Sequence, residues 1–193
     1  FVSGPGGLAA KLTGRKLVIH EQNAVPGFTN KLLAKIANQV FEAFPNTFSQ
    51  SKKVIHTGNP MRKEIADLAL RTRSLKEASR PLQILVLGGS QGALAINKVV
   101  PELLASWPEE NRPSTRHQAG DSTLEITQQA YRDRGLVLSK RIDVLPFISD
   151  MAQAYIWADL VICRSGASTV SEIAAAGLPS ILVPYPHHSD HQQ

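Results

Sequence analysis

Cysteine is nearly missing from this chain: Cys163 is the only one in 193 residues. That excludes an internal disulfide and any cysteine-rich zinc site, and it fits a reducing compartment. No apolar run approaches the length that crosses a bilayer, and no signal-peptide pattern opens the chain. Low-complexity tracts and internal repeats at solenoid periods are lacking as well. There is no Gly-x-Ser-x-Gly elbow and no standout pair of carboxylates, so neither common hydrolase arrangement is expected. Basic residues do not cluster with aromatics, which argues against a nucleic-acid groove. The net charge of +5 suits phosphorylated ligands or an anionic membrane surface, and equally an ordinary solvated surface.

What is present is a chain, 42% hydrophobic, long enough for one domain or two small ones. Its plainest stretch runs from Asp159 to Pro184. Leu160 to Cys163 is a short apolar run of the kind found in a strand covered on both faces. Gly166 allows a tight loop, and Ser168 or Thr169 can cap a following helix. Gly177 and Pro179 end that helix, and Ile181 to Val183 resumes as a second buried strand. The pattern predicts one βαβ crossover in a parallel sheet, with a polar glycine-containing loop where open α/β sheets hold anions. Within it, Thr169-x-x-Glu172 fits a capping box, and a carboxylate at Glu172 is equally placed to accept bonds from two ribose hydroxyls. Cys163, at the end of a buried strand, reads as a small core residue and not a nucleophile.

The same grammar recurs upstream. Ser3-Gly4-Pro5-Gly6-Gly7 reads as a loop between a strand end at Phe1-Val2 and a short helix, and is either a plain turn or a phosphate contact. Lys16 to Glu21 reads as a strand whose end delivers His20, Glu21, Gln22 and Asn23 together. Four polar groups leaving a buried strand must meet each other or a ligand. A helix over 29–37 and strands over 39–44 and 54–57 follow, and then the turn Gly58-Asn59-Pro60-Met61-Arg62. The basic stretch from Arg62 to Arg80 reads as a helix and an interdomain linker, with Arg62 placed to reach a phosphate or sugar.

Leu82 to Leu87 restarts the alternation, with a turn over 88–92. The next helix carries Ala93, Ile96, Val100, Leu103, Leu104 and Trp107 on one side and a kink or break at Pro101. Gly88-Gly89-Ser90-Gln91-Gly92 departs from the dinucleotide fingerprint in its spacing, which disfavours a dehydrogenase. Strands are expected over 115–118 and at Val137-Leu138, and helices over 124–134 and 149–157, the last with Met151, Ala154, Tyr155 and Ala158 inward. The closing His187-His188-Ser189-Asp190-His191-Gln192-Gln193 lies in a loop and not on a helix that would fix ligand geometry. A polar loop against a hydroxyl-rich ligand is therefore favoured over a metal site. Both chain ends read as cuts through a larger protein.

Taken in order, Ser-Gly-Pro-Gly-Gly-Leu-Ala-Ala, His-Glu-Gln-Asn, Gly-Asn-Pro-Met-Arg, Gly-Gly-Ser-Gln-Gly-Ala, Asp-Met-Ala-x-Ala-Tyr-x-Trp-Ala-Asp and Cys-Arg-Ser-Gly-Ala-Ser-Thr-Val-Ser-Glu-Ile-Ala-Ala-Ala-Gly-Leu-Pro resemble the motifs of the MurG family. These are the N-acetylglucosamine transferases of peptidoglycan synthesis, and the resemblance covers essentially the whole chain. It implies a GT-B fold, two Rossmann-like parallel-sheet domains facing a cleft, both incomplete here. Residues 1–61 would be the C-terminal part of the N-terminal acceptor and membrane domain. Residues 62–193 would be most of the C-terminal donor domain, with 62–80 as hinge.

The implied reaction moves N-acetylglucosamine, with inversion, from UDP-N-acetylglucosamine to undecaprenyl-linked lipid I. It needs no cofactor or metal and occurs at the cytoplasmic face of the bacterial inner membrane. By the same resemblance, Asn23 would meet the donor sugar, Arg62 the donor near the hinge, and Ser90 the donor in the second glycine loop. The backbone of Ile148 would read uracil. Ala167, Ser168, Thr169, Val170 and Ser171 would line the diphosphate, Glu172 would hold the ribose, and Gln192 and Gln193 the sugar hydroxyls. The family's first glycine loop, proposed histidine base and apolar membrane patch would precede Phe1. No catalytic base is assigned, and His20 is kept as a secondary candidate near the acceptor. A related lipid glycosyltransferase, or a nucleotide-sugar binding module inert without its missing ends, are the alternatives.

Overall fold

The computed structural model of the chain describes residues 3–71, 80–88 and 93–185. They fall into two compact units, one ending at Pro60 and the other spanning Met61–Tyr185. No described helix is long and apolar enough to cross a membrane.

In the first unit, β1 (Val18–Glu21), β2 (Gln39–Glu42) and β3 (Val54–His56) form a parallel sheet in that order. Helices α1 (Ser3–Leu12) and α2 (Phe28–Ile36) accompany it. Leu17, Ile19, Leu33, Ala37 and Val40 make its core. The glycine-rich opening is helix and not loop, which corrects the sequence reading. Pro5 sits in the first turn, where its missing N–H costs nothing. Gly7 is buried under α2: a methyl group in its place would lie 2.8 Å from a Leu33 methyl. Close helix packing thus overrides a penalty of about 1 kcal/mol per glycine. Phe1-Val2 lie outside the described residues.

The loops of this unit are tied by polar side chains. Lys53 Nζ donates to the carbonyls of Ala34 (2.7 Å), Lys35 (3.3 Å) and Ala37 (3.5 Å), closing the C-terminal end of α2 where a cation is favoured. Glu42, buried at the end of β2, accepts from the backbone N–H groups of Asn46 (3.2 Å) and Phe48 (3.0 Å).

The second unit is a five-stranded parallel sheet in the order β6-β5-β4-β7-β8. The strands are β4 (Gln83–Leu87), β5 (Ser114–Gln118), β6 (Ile142–Leu145), β7 (Leu160–Arg164) and β8 (Ser180–Val183). The short α3 (Lys63–Ala66), α6 (Met151–Trp157) and α7 (Ala167–Ala176) cover one face. Helices α4 (Leu94–Ala105) and α5 (Leu124–Arg132) cover the other. The period-2 alternation of β4 explains both cores: Leu85 and Leu87 join Ile65, Tyr155 and Ile173, whereas Ile84 and Val86 join Ile96, Val100 and Tyr131.

Several expectations change here. Helix α4 runs unbroken through Pro101, and Leu103 and Trp107 are partly solvent-facing, because Asn97 and Pro101 complete the buried stripe. Val137-Leu138 is not strand. Leu136 folds back onto Tyr131 O and is buried, Val137 is exposed, and pairing with β5 begins only at Ile142. Strand β8 is not buried: Ile181 and Leu182 are exposed among the described residues, as befits the outermost strand of this sheet. After α3 the chain makes only a 3₁₀ turn, Asp67–Leu70, and residues 72–79 lie outside the described residues.

Candidate functional site

Strand β4 lies between β5 and β7. The chain therefore leaves it to one side of the sheet and later returns on the other. Such a reversal opens a crevice at the carboxyl ends of the strands. Leu87 pairs with Cys163, so β4 and β7 end side by side, with Gly88 after one and Ser165 after the other.

Gly88 is packed into place. A methyl group there would lie 2.9 Å from Gln118 O, 3.0 Å from Ala93 N and 3.2 Å from Asn97 Oδ1, and two of these are backbone atoms that cannot rotate away. Gly88→Ala is expected to lower the stability of this unit by about 2 kcal/mol, the usual cost of forcing atoms into a filled space. Urea unfolding measures it, and an unchanged midpoint would refute the packing argument. Ser90, further along this loop, lies outside the described residues, as do Gln192, Gln193 and the closing histidines.

At the second loop, α7 begins at Ala167 with Gly166 as its N-cap and no side-chain cap. Ser168 and Thr169 therefore stand inside the first turn and do not cap it, and the capping box does not form. Gly166 itself keeps an ordinary negative φ of −71°, while Gly177 ends the helix in the left-handed region at φ 61°. Ala167, Ser168, Thr169, Val170 and Ser171 make up the opening turns, and Ser171 Oγ donates to Ala167 O at 2.9 Å. Glu172 faces α6 instead of its own helix start. Its Oε2 accepts from the Tyr155 hydroxyl at 2.9 Å, and its Oε1 lies 3.9 Å from Arg62 Nη2. Burial and the neighbouring Glu172 charge push the Tyr155 phenol above its ordinary value, so it stays a donor.

Arg62 also lines a cavity of about 420 Å³ with Glu64, Ile65, Ser149, Asp150, Met151 and Ala152. Ile148, buried just before it, donates its backbone N–H to Gln118 Oε1 at 3.0 Å. Arg62, Glu172 and the segment after Ile148 are thus gathered on the α3–α6–α7 face. Cys163 is buried below them with its thiol pushed up to about 11 by burial, which fits a core residue.

The polar cluster ending β1 mostly satisfies itself. Buried Glu21 accepts from Asn23 N (3.0 Å), Asn23 Nδ2 (3.1 Å), Gly27 N (3.1 Å) and Asn30 Nδ2 (2.8 Å). Burial pushes its carboxyl up, but these donors outweigh it and hold it below the usual value. His20 Nε2 donates to Gly58 O at 3.1 Å. Asn23, half-buried, is therefore held in place through its amide.

Sequence reasoning missed the polar residues at the end of β5. His117 is fully buried between Tyr131 OH (2.9 Å, at Nδ1) and Asn97 Oδ1 (3.0 Å, at Nε2). The Asn97 amide nitrogen donates to Ala119 O, so its oxygen must accept. That fixes the proton of His117 on Nε2 and leaves Nδ1 to accept from Tyr131. The rule that singled out His20 to Asn23, polar groups leaving a buried strand, would have found His117 and Gln118. Tyr155 was legible only as an inward ring.

This sheet order and the paired loops place the second unit in the doubly wound, Rossmann-like class. Residues 83–193 match the Glycosyltransferase family 28 C-terminal domain, and residues 1–42 the Glycosyltransferase family 28 N-terminal domain. The chain belongs to glycosyltransferase family 28, and its fold is of the GT-B class. It is 55% identical, over its whole length, to the UDP-N-acetylglucosamine--N-acetylmuramyl-(pentapeptide) pyrophosphoryl-undecaprenol N-acetylglucosamine transferase of Ectopseudomonas mendocina, and 56% identical to the protein of that name from Pseudomonas aeruginosa. It spans about half the length of these curated relatives, 52% of each. The crystal structure of Acinetobacter baumannii MurG superposes with a TM-score of 0.75 at 45% identity, covering 100% of this chain and 52% of that one. The glycosyltransferase SnogD of Streptomyces nogalater, 17% identical with a TM-score of 0.55 over 95% of this chain and 52% of its own, shares the fold.

Proposed function

We propose that the protein to which this chain belongs transfers N-acetylglucosamine from UDP-N-acetylglucosamine to lipid I, giving lipid II for peptidoglycan. The carrying observation is 55% identity, over the entire chain, to transferases of that name. The acceptor's 4-hydroxyl attacks the anomeric carbon, the bond from that carbon to the diphosphate oxygen breaks, configuration inverts, and UDP departs. The hydroxyl proton goes to a general base. His20 spends its Nε2 hydrogen on Gly58, so only Nδ1 could take a proton, and it keeps its secondary standing near the acceptor.

In this reading Glu172 accepts from the ribose hydroxyls, and the opening turns of α7, from Ala167 to Ser171, face the diphosphate. Arg62 contacts the donor beside Glu172, Ile148 presents backbone to uracil, and Ser90 would bind the donor in the second glycine loop. Asn23, Gln192 and Gln193 meet the sugar. Residues 1–61 would serve the acceptor and membrane, and 62–193 the donor, with 62–80 as hinge. Tyr155 orients Glu172 by holding one of its two oxygens. Tyr155→Phe, which removes only that hydroxyl, is expected to raise the donor KM about fivefold, the equivalent of one ordinary hydrogen bond. Steady-state kinetics with varied donor measure it, and an unchanged KM would remove Tyr155 from the site.

An anionic membrane surface at the cytoplasmic face is the proposed place of work. On the first unit, Leu12 is 78% and Phe28 76% exposed, with Leu8 and Leu32 also outward, and Lys11, Lys31 and Lys35 lie on the same two helices. That mixture suits a further lipid-facing surface, in addition to the apolar patch that the resemblance implies elsewhere in the family's fold. Sedimentation with anionic vesicles should weaken on Leu12→Ser/Phe28→Ser, and undiminished binding would discard this surface.

The reaction is tested by supplying full-length protein with UDP-N-acetylglucosamine and lipid I and separating the products by chromatography. Lipid II is expected. Transfer to diacylglycerol instead would move the protein to a related lipid glycosyltransferase. Turnover by these 193 residues alone would discard the other alternative, a nucleotide-sugar binding module inert without its missing ends.

A further inference from the structure

Gln118 is buried at the last position of β5, and it touches both segments that the donor reading uses. Its backbone carbonyl accepts from Gly88 N at 3.0 Å, where the chain leaves β4 for the second glycine loop. Its side-chain Oε1 accepts from Ile148 N at 3.0 Å, one residue before Ser149 and Asp150 enter the cavity wall beside Arg62. The two bonds run in different directions from one residue: β4 is its neighbour in the sheet, and Ile148 belongs to the connection between β6 and α6.

That connection explains why a side chain is needed. The N–H groups of Ala119 and Gly120 reach Leu145 O and Pro146 O, so β5 and the start of the connection hold each other through backbone alone. Ile148 N lies past the end of this ladder and before the first turn of α6, and it is supplied by Gln118. A buried N–H left without a partner costs about 1–3 kcal/mol, and the segment would move to find one. Only a side chain of this reach, carrying an acceptor and starting from the end of β5, holds the Ile148 backbone at a set distance from Gly88.

Resting on the donor-site reading above, we propose that Gln118 is a positioning residue for nucleotide binding. It sets the spacing between Gly88, where β4 ends, and the Ile148 backbone of the uracil reading, and touches no substrate atom itself. A nucleoside diphosphate lying across the carboxyl ends of these strands needs the two points fixed together. Gln118→Met keeps length and apolar volume but loses the acceptor, whereas Gln118→Glu keeps it.

The experiment uses full-length protein and UDP as the probe, with calorimetry for binding and hydrogen exchange at the Ile148 amide. Gln118→Met is expected to weaken UDP binding about tenfold, raise the donor KM in step, and leave kcat within about threefold. The Ile148 amide should exchange at least about tenfold faster. Gln118→Glu should bind UDP within about threefold of the parent. Should Gln118→Met not fold, Gln118→Asn, whose amide falls one methylene short, reads the same loss. Unchanged UDP binding in the Met or Asn variant, or equal losses in the Glu and Met variants, would overturn the inference while the donor site stands. No UDP binding by the parent protein would overturn the donor reading and this inference with it.

Discussion

Between pH 6.5 and about 4 the second unit should lose stability steeply as the pH falls, and His117 should be the cause. Burial lowers this imidazole from 6.5 to about 4. The folded chain therefore stays unprotonated there until near pH 4, while the unfolded chain takes up the proton near 6.5. In between, the unfolded state binds more protons, so acid favours it, by up to about 1.4 kcal/mol per pH unit and roughly 3 kcal/mol over the window. Geometry gives the same sign. Nδ1 accepts from Tyr131 OH, and a second ring proton there would face a phenol already turned toward it. Urea midpoints measured across this range should rise with pH in the parent and run nearly flat in His117→Gln. The slope is the readout, so a general destabilisation by the substitution does not confuse it. Parallel profiles would show that His117 does not titrate in this way.

Replacing Glu172 by Ala should reduce kcat/KM for the donor about a hundredfold or more. Two hydroxyls bonded to one ionised carboxylate are each worth about 1.5–3 kcal/mol, and a loss near 2.7 kcal/mol is that factor. Truncation also strips Tyr155 of its acceptor on a face where that hydroxyl is largely buried. Glu172→Gln is the cleaner companion, because it preserves shape and one acceptor oxygen while removing the charge and turning the other oxygen into an NH2 donor. Its loss should be about tenfold, visible as weaker UDP binding with the fold intact. If both variants bind UDP like the parent, the ribose role falls and Glu172 is left as a partner for Tyr155 and Arg62.

The strands of the second sheet were legible because burial on both faces writes itself into composition. Leu82 to Leu87 and Leu160 to Cys163 admit little else, and the turn at Gly177 names the end of α7. The glycine run at Ser3 to Gly7 misled because local propensity there opposes a contact made 26 residues later, with Leu33. Strand β8 misled for the reverse reason: Ile181, Leu182 and Val183 have a core composition, while their place as the outermost strand leaves them half open. Glu172 was seen as a functional residue with two alternatives, and spacing could not choose between them. A hydroxyl on α6, 17 residues earlier, turns Glu172 away from the capping box, and no local pattern contains it. The His117 network is hidden likewise, since Asn97, His117 and Tyr131 come from three elements and meet only once the sheet is wound.

The alternation that turns Cys163 inward gives this chain a clock. Its sulfur lies below the crevice, bare of solvent and held as a thiol, so a reagent that needs an exposed thiolate meets it only after β7 has come away from its neighbours. The rate of modification would then count openings of the sheet, not chemistry at the sulfur, and with no other thiol in the chain each event counted comes from that one strand.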